Sequence, residues 1–71
     1  MQQMTLKAAR VNAGYGQKEA AKLLGIANKT LSKWENGKSY PTVDMARKIC
    51  ELYHANFDDI IFLPHTSLKA N

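Results

Sequence analysis

Apolar residues recur along this chain at helical spacing and never alternate over the length of a strand, a pattern that predicts five short helices and no strands. Thr5 caps the first, which runs to about Asn12, with Leu6, Ala9, Arg10 and Ala13 at i, i+3, i+4 and i+7. Gly14-Tyr15-Gly16 ends it. The second covers Gln17 to Leu24: Gly16 is its N-cap, Glu19 is placed to bond back to the cap amide, and Ala20, Ala21 and Leu24 form the inner stripe. Gly25 closes it as a C′ glycine. The third, Asn28 to Asn36, buries Leu31 and Trp34 and stops at Gly37. After a loop over Lys38-Ser39-Tyr40-Pro41, a fourth helix starts at a Thr42 cap and reaches about Tyr53. Its inner face is Val43, Ala46, Ile49, Cys50 and Tyr53, and Asp44 suits its first turn. Asn56 is expected to cap a fifth helix, with Asp59 at the capping-box position and Ile60 and Ile61 facing inward. Pro64 stops it, so residues 1–64 are expected to form one domain and 65–71 a flexible tail.

Only Gly25-Ile26-Ala27 separates the second helix from the third, a helix-turn-helix layout in which the small Ala21 lets two steeply crossing helices touch. The chain has 71 residues, 45% of them hydrophobic and 23% charged, which fits one small folded domain. There is no room for a deep cleft between two lobes, so a large enzyme is excluded. A single cysteine, Cys50, precludes an intramolecular disulfide. With no basic-then-apolar leader and no apolar run of bilayer length, the expected compartment is the cytoplasm, away from membranes.

Charge is divided unevenly. Residues 1–38 carry seven basic and two acidic side chains, whereas residues 39–71 carry three basic and four acidic ones. One half is therefore basic and the other nearly neutral, which points to a polyanion partner. Catalytic constellations are missing: there is no Ser/His/Asp set, no paired-carboxylate signal and no phosphate-cradling glycine loop. Cys50 and His54 stand four apart, but a zinc site wants at least three protein ligands, and Cys50 lies on an apolar stripe as a core thiol. No enzyme activity, metal, cofactor or small-molecule substrate is expected.

The strongest signal spans residues 16 to 41. Gly16-Gln17-Lys18-Glu19-Ala20-Ala21-Lys22-Leu23-Leu24-Gly25-Ile26 is followed by Leu31-Ser32-Lys33-Trp34-Glu35-Asn36-Gly37-Lys38 and then Pro41. This stretch resembles the lambda Cro/C1-type, or XRE, family of helix-turn-helix DNA-binding proteins, and the resemblance covers about Thr5 to Ile61. It implies an all-α, compact five-helix fold and a small Cro-like regulator. It also makes the third helix the recognition helix. Asn28, Lys29, Ser32 and Lys33, with Thr30 at the margin, then lie opposite Leu31 and Trp34, and are short or basic groups that can reach base edges. Gln17, at an exposed helix start where free amides favour an anion, is a phosphate contact in the family; so is the corner formed by Asn36, Gly37 and Lys38. Family members also pair an arginine at position 10 with the glutamate of the third helix, which makes Arg10 and Glu35 a structural ion pair. Two positions depart from the pattern: Gly16 and Ala27 stand where the family favours Ser or Thr. Without a capping oxygen at Ala27, Asn28 is either the cap of the third helix or a base reader.

The expected function is sequence-specific binding of a double-stranded DNA operator, with repression by promoter occupancy. One short helix reads too few base pairs to find a single site, so a homodimer on a pseudo-palindrome is expected. Phe57, Ile60, Ile61, Phe62 and Leu63 crowd the near-neutral end, and Phe57, Phe62 or Leu63 left outside would supply its interface. The alternative is an antitoxin-type module that binds a partner protein and autoregulates its operon.

Overall fold

A computed structural model describes residues 4–62. Its elements are β1 (Met4–Thr5), α1 (Leu6–Asn12), α2 (Gln17–Leu24), α3 (Asn28–Glu35), α4 (Val43–Tyr53), a 3-10 turn (Phe57–Asp59) and β2 (Ile60–Ile61). Hydroxyl caps start two of the helices: Thr5 Oγ1 accepts from the Ala8 amide at 3.1 Å and Thr42 Oγ1 from the Met45 amide at 3.2 Å. Gly16 and Ala27 occupy the cap positions of α2 and α3 and supply no side-chain acceptor.

All four helices stop by the same device, a left-handed residue that lets the next amide reach back to a carbonyl five residues earlier. Tyr15 bonds Arg10 at 3.2 Å, Ile26 bonds Ala21 at 3.0 Å, Lys38 bonds Lys33 at 2.9 Å and Ala55 bonds Cys50 at 3.0 Å. Glycine fills the left-handed position in the first three, at Gly14, Gly25 and Gly37, while His54 fills it in the fourth with φ 55°. Side chains there clash with the following carbonyl, so His54 is a strained stop.

The core collects Leu6 and Ala9 of α1, Ala20, Ala21 and Leu24 of α2, Leu31 of α3, Ile49 and Tyr53 of α4, and Ile60 of β2. Leu31 and Ile49 are fully enclosed. The small pair Ala20-Ala21 lets α2 and α3 lie close across the three-residue turn.

The predicted fifth helix and the absence of strands are corrected. Beyond His54 the chain makes one 3-10 turn, in which the Asp59 amide donates to the Asn56 carbonyl at 2.9 Å, and Asn56 provides no side-chain cap. Ile60 and Ile61 then pair in parallel with Met4 and Thr5. β-Branched residues favour that extended backbone, and a two-residue strand is too short to register as alternation. The pleat turns Ile60 into the core and leaves Ile61 exposed. Val43 is likewise no core residue: it sits in the overhanging first turn of α4 and is 70% exposed. α3 ends at Glu35, with Asn36 at its C-cap. Glu19 is exposed and makes no bond to the cap amide among the described residues. Leu63, Pro64 and the 65–71 tail lie outside the described residues.

Candidate nucleic-acid interface

α3 has two chemically distinct sides. Leu31 is buried and Trp34 half-buried against the core. At 100° per residue, Asn28, Ser32, Lys29 and Lys33 fall within one arc away from Leu31. Asn28, Lys29 and Lys33 are exposed, while Ser32 inside the arc and Thr30 at its margin are half-buried. Ala27 holds the N-cap geometry, with φ −73° and ψ 148°, so Asn28 is the first helical residue and not the cap. The result is a polar, basic helix face on which Asn28, Lys29 and Lys33 stand exposed.

Two corners flank that face, one with free main-chain amides and one with exposed polar side chains. At one, Gln17 opens α2 beside Gly16, and the first i→i−4 bond of the helix is Ala20 to Gly16 at 3.0 Å. The amides before it have no intrahelical partner and carry the positive end of the dipole. At the other, the Schellman turn over Asn36-Gly37-Lys38 ends α3; its three main-chain amides all donate back to the Ser32, Trp34 and Lys33 carbonyls, so the exposed side chains of Asn36 and Lys38 are what it offers an anion. Asn36 Nδ2 donates to Ser32 Oγ at 3.3 Å, which ties one expected phosphate contact to one expected base reader.

Behind both lies the ion pair that holds α1 to α3. Arg10 Nε donates to Glu35 Oε2 at 2.7 Å and Nη2 donates to Oε1 at 3.3 Å. The two side chains are only 8% and 3% exposed. Arg10 Nη1 also donates to the Tyr15 carbonyl at 2.8 Å, which fixes the turn into α2. A fourth bond joins this network: Gln17 Nε2 donates to Glu35 Oε1 at 3.0 Å. Nothing in the spacing of Gln17 and Glu35 announces that contact, because it depends on how α2 and α3 cross. Tyr15 and Tyr53 lie alongside, with ring centroids 6.1 Å apart. Burial, then the Glu35 charge and Tyr15, push the Tyr53 hydroxyl up to about 12, with Arg10 pulling the other way. Partial burial also raises the Cys50 thiol, which packs against the rim of the core and is not enclosed in it.

A helix-turn-helix family model matches residues 6–60. The chain belongs to the Cro/C1-type helix-turn-helix family. Its match is therefore to a DNA-binding domain, one that carries the polar helix face just described. Among relatives, the HTH-type transcriptional regulator ImmR of Bacillus subtilis is 41% identical over 64 residues, 90% of this chain. The chain spans 50% of the length of ImmR. An uncharacterized HTH-type transcriptional regulator of Archaeoglobus fulgidus is 30% identical over 63 residues, 89% of each chain. YgzD, an uncharacterized HTH-type transcriptional regulator of Bacillus subtilis, is 28% identical over 58 residues, covering 82% of this chain and 88% of its own.

The neutral end of this helix-turn-helix domain differs from its basic side. Phe57 is 57% exposed and stacks on the half-buried Phe62 at 5.4 Å. A shallow groove of about 270 Å³, lined by Val43, Arg47, Cys50 and Phe57, runs next to it. Among the described residues no cluster of His, Cys, Asp or Glu is arranged to hold a metal. No helix of those residues is long and apolar enough to cross a membrane.

Proposed function

We propose that this domain is the DNA-reading part of a transcriptional repressor, with α3 lying in the major groove of a specific operator. The observation that carries this reading is the exposed arc of Asn28, Lys29 and Lys33 on a helix clamped from behind by Arg10 and Glu35. Asn suits adenine, Lys suits guanine, and Ser32 and Thr30 suit several bases. Gln17, Asn36 and Lys38 then grip phosphates on either side, fixing register without reading sequence. Lys18, Lys22 and the other exposed lysines add the non-specific attraction.

The protein acts as a homodimer on a pseudo-palindrome, with half-sites ~34 Å apart. The exposed Phe57, stacked on Phe62, and the exposed Val43 supply the apolar surface for that contact. Two near-neutral ends meet without strong repulsion, so both basic faces stay on DNA.

Selection of bound duplexes from a random pool tests the reading. An inverted repeat is the expected outcome, bound by two molecules cooperatively. Lys29→Ala and Lys33→Ala should each relax preference at particular base pairs by ~1–3 kcal/mol, while Gln17→Ala and Asn36→Ala weaken all sequences alike. With ~6–10 phosphate contacts per dimer, affinity falls ~10³–10⁵-fold from 50 to 200 mM salt. A flat salt response with no enriched sequence refutes the proposal. Phe62→Ser should abolish cooperativity and spare half-site binding; unchanged cooperativity removes the Phe57/Phe62 interface.

A further inference from the structure

We infer that Glu35 is a positioning residue for DNA binding, holding the carboxamide of Gln17 against the start of α2 so that it meets a phosphate already oriented. The inference rests on the reading of Gln17 as a phosphate contact and asks what aims it. Gln17 Nε2 carries two N–H donors. One is committed to Glu35 Oε1 at 3.0 Å, inside the helix pack, which leaves the other and the free main-chain amides of the first turn for an anion.

Charge makes this arrangement workable. A bare carboxylate next to a phosphate site would repel the ligand. Here Arg10 covers both Glu35 oxygens, at 2.7 and 3.3 Å, and only 3% of the Glu35 side chain is exposed. Arg10 also bonds the Tyr15 carbonyl at 2.8 Å, one residue before the Gly16 cap. The same buried pair thus sets the direction of the entering backbone and the orientation of the first side chain. Gly16 provides no side-chain cap, so no hydroxyl competes for the amides that the phosphate needs.

An immobilised side chain no longer loses its rotamer freedom when ligand arrives, an advantage of ~2- to 12-fold in affinity for each half-site. Two measurements on the full chain test it. The first is ¹⁵N relaxation of the Gln17 side-chain NH₂ in free wild type: an order parameter near the rigid-backbone value of ~0.85 is expected, and one below ~0.6 overturns the inference. This arm uses no variant and no DNA. The second measures the Gln17→Ala penalty on half-site DNA in wild type and in an Arg10→Met/Glu35→Leu background that leaves no stranded charge. The penalty should shrink by ~2- to 12-fold in that background, uniformly across base sequences, with each protein confirmed folded by circular dichroism. Equal penalties in both backgrounds overturn the inference. A wild type that retards no DNA overturns the regulator reading itself, a result distinct from binding with equal penalties.

Discussion

Replacing Arg10 by methionine removes three donors at once: two from Glu35 and one from the Tyr15 carbonyl. Glu35 is then left with Gln17 as its single side-chain donor and with 3% of its side chain in reach of water. Stranding a buried charge in this way costs ~3–5 kcal/mol. Globular domains hold ~0.05–0.15 kcal/mol per residue, so a chain of 71 residues is worth only ~4–11 kcal/mol in total. With a urea m-value of ~1 kcal/mol/M, the midpoint of Arg10→Met falls by roughly 3–5 M, close to complete loss of the folded state. Methionine keeps the unbranched apolar stem but ends two bonds short of the terminal guanidinium nitrogens, so a small void adds to the electrostatic loss. Glu35→Leu strands Arg10 in turn and loses a similar amount. In the double variant both charges are gone and an apolar contact replaces them, which returns stability to within ~1–2 kcal/mol of wild type. Urea melts followed by far-ultraviolet circular dichroism on the four proteins give the coupling directly. Additive losses in that cycle, or a loss under ~1 kcal/mol for Arg10→Met, refute the reasoning.

Three further outcomes are expected. Tyr53 is protonated in both folded and unfolded chains below pH 10; between pH 10 and about 12 the unfolded chain releases the proton first, so stability falls with rising pH. That fall amounts to ~1.4 kcal/mol per pH unit, and Tyr53→Phe should be flatter than wild type over the same window in denaturant melts. His54→Gly relieves the left-handed stop of α4 and should gain about 0.5–1 kcal/mol, read as a higher melting temperature; no gain means the position is unstrained. Ala27→Ser places a hydroxyl at the uncapped start of α3, with a gain of ~0.5–1 kcal/mol in the same assay, and an unchanged melting temperature counts against it.

Helix positions were legible because each start or stop carries a local mark. Thr5 and Thr42 cap, and Gly14, Gly25 and Gly37 stop, all through bonds within a few residues. His54 does the same work with no compositional mark, since glycine is the usual residue there. The strand at Ile60 and Ile61 is not legible, because these residues suit a helix stripe and a strand equally and their pairing partners, Met4 and Thr5, lie far away in sequence. The same limit applies to the site. The polar arc of α3 follows from helical spacing, and the buried charge of Arg10 follows from its place in the stripe of α1. The bond from Gln17 to Glu35 depends on a crossing angle that no periodicity encodes.

The pairing of β1 with β2 has a mechanical meaning. The strands run in the same direction, with Met4 opposite Ile60 and Thr5 opposite Ile61. A pull applied to the flanking chain drags β1 backward and β2 forward, so the ladder is loaded in shear and its bonds resist together. Tension on either side is thus taken up by this small clasp before it is transmitted to the helices. The recognition helix hangs inside the closed loop, shielded from forces along the polypeptide until the clasp gives way.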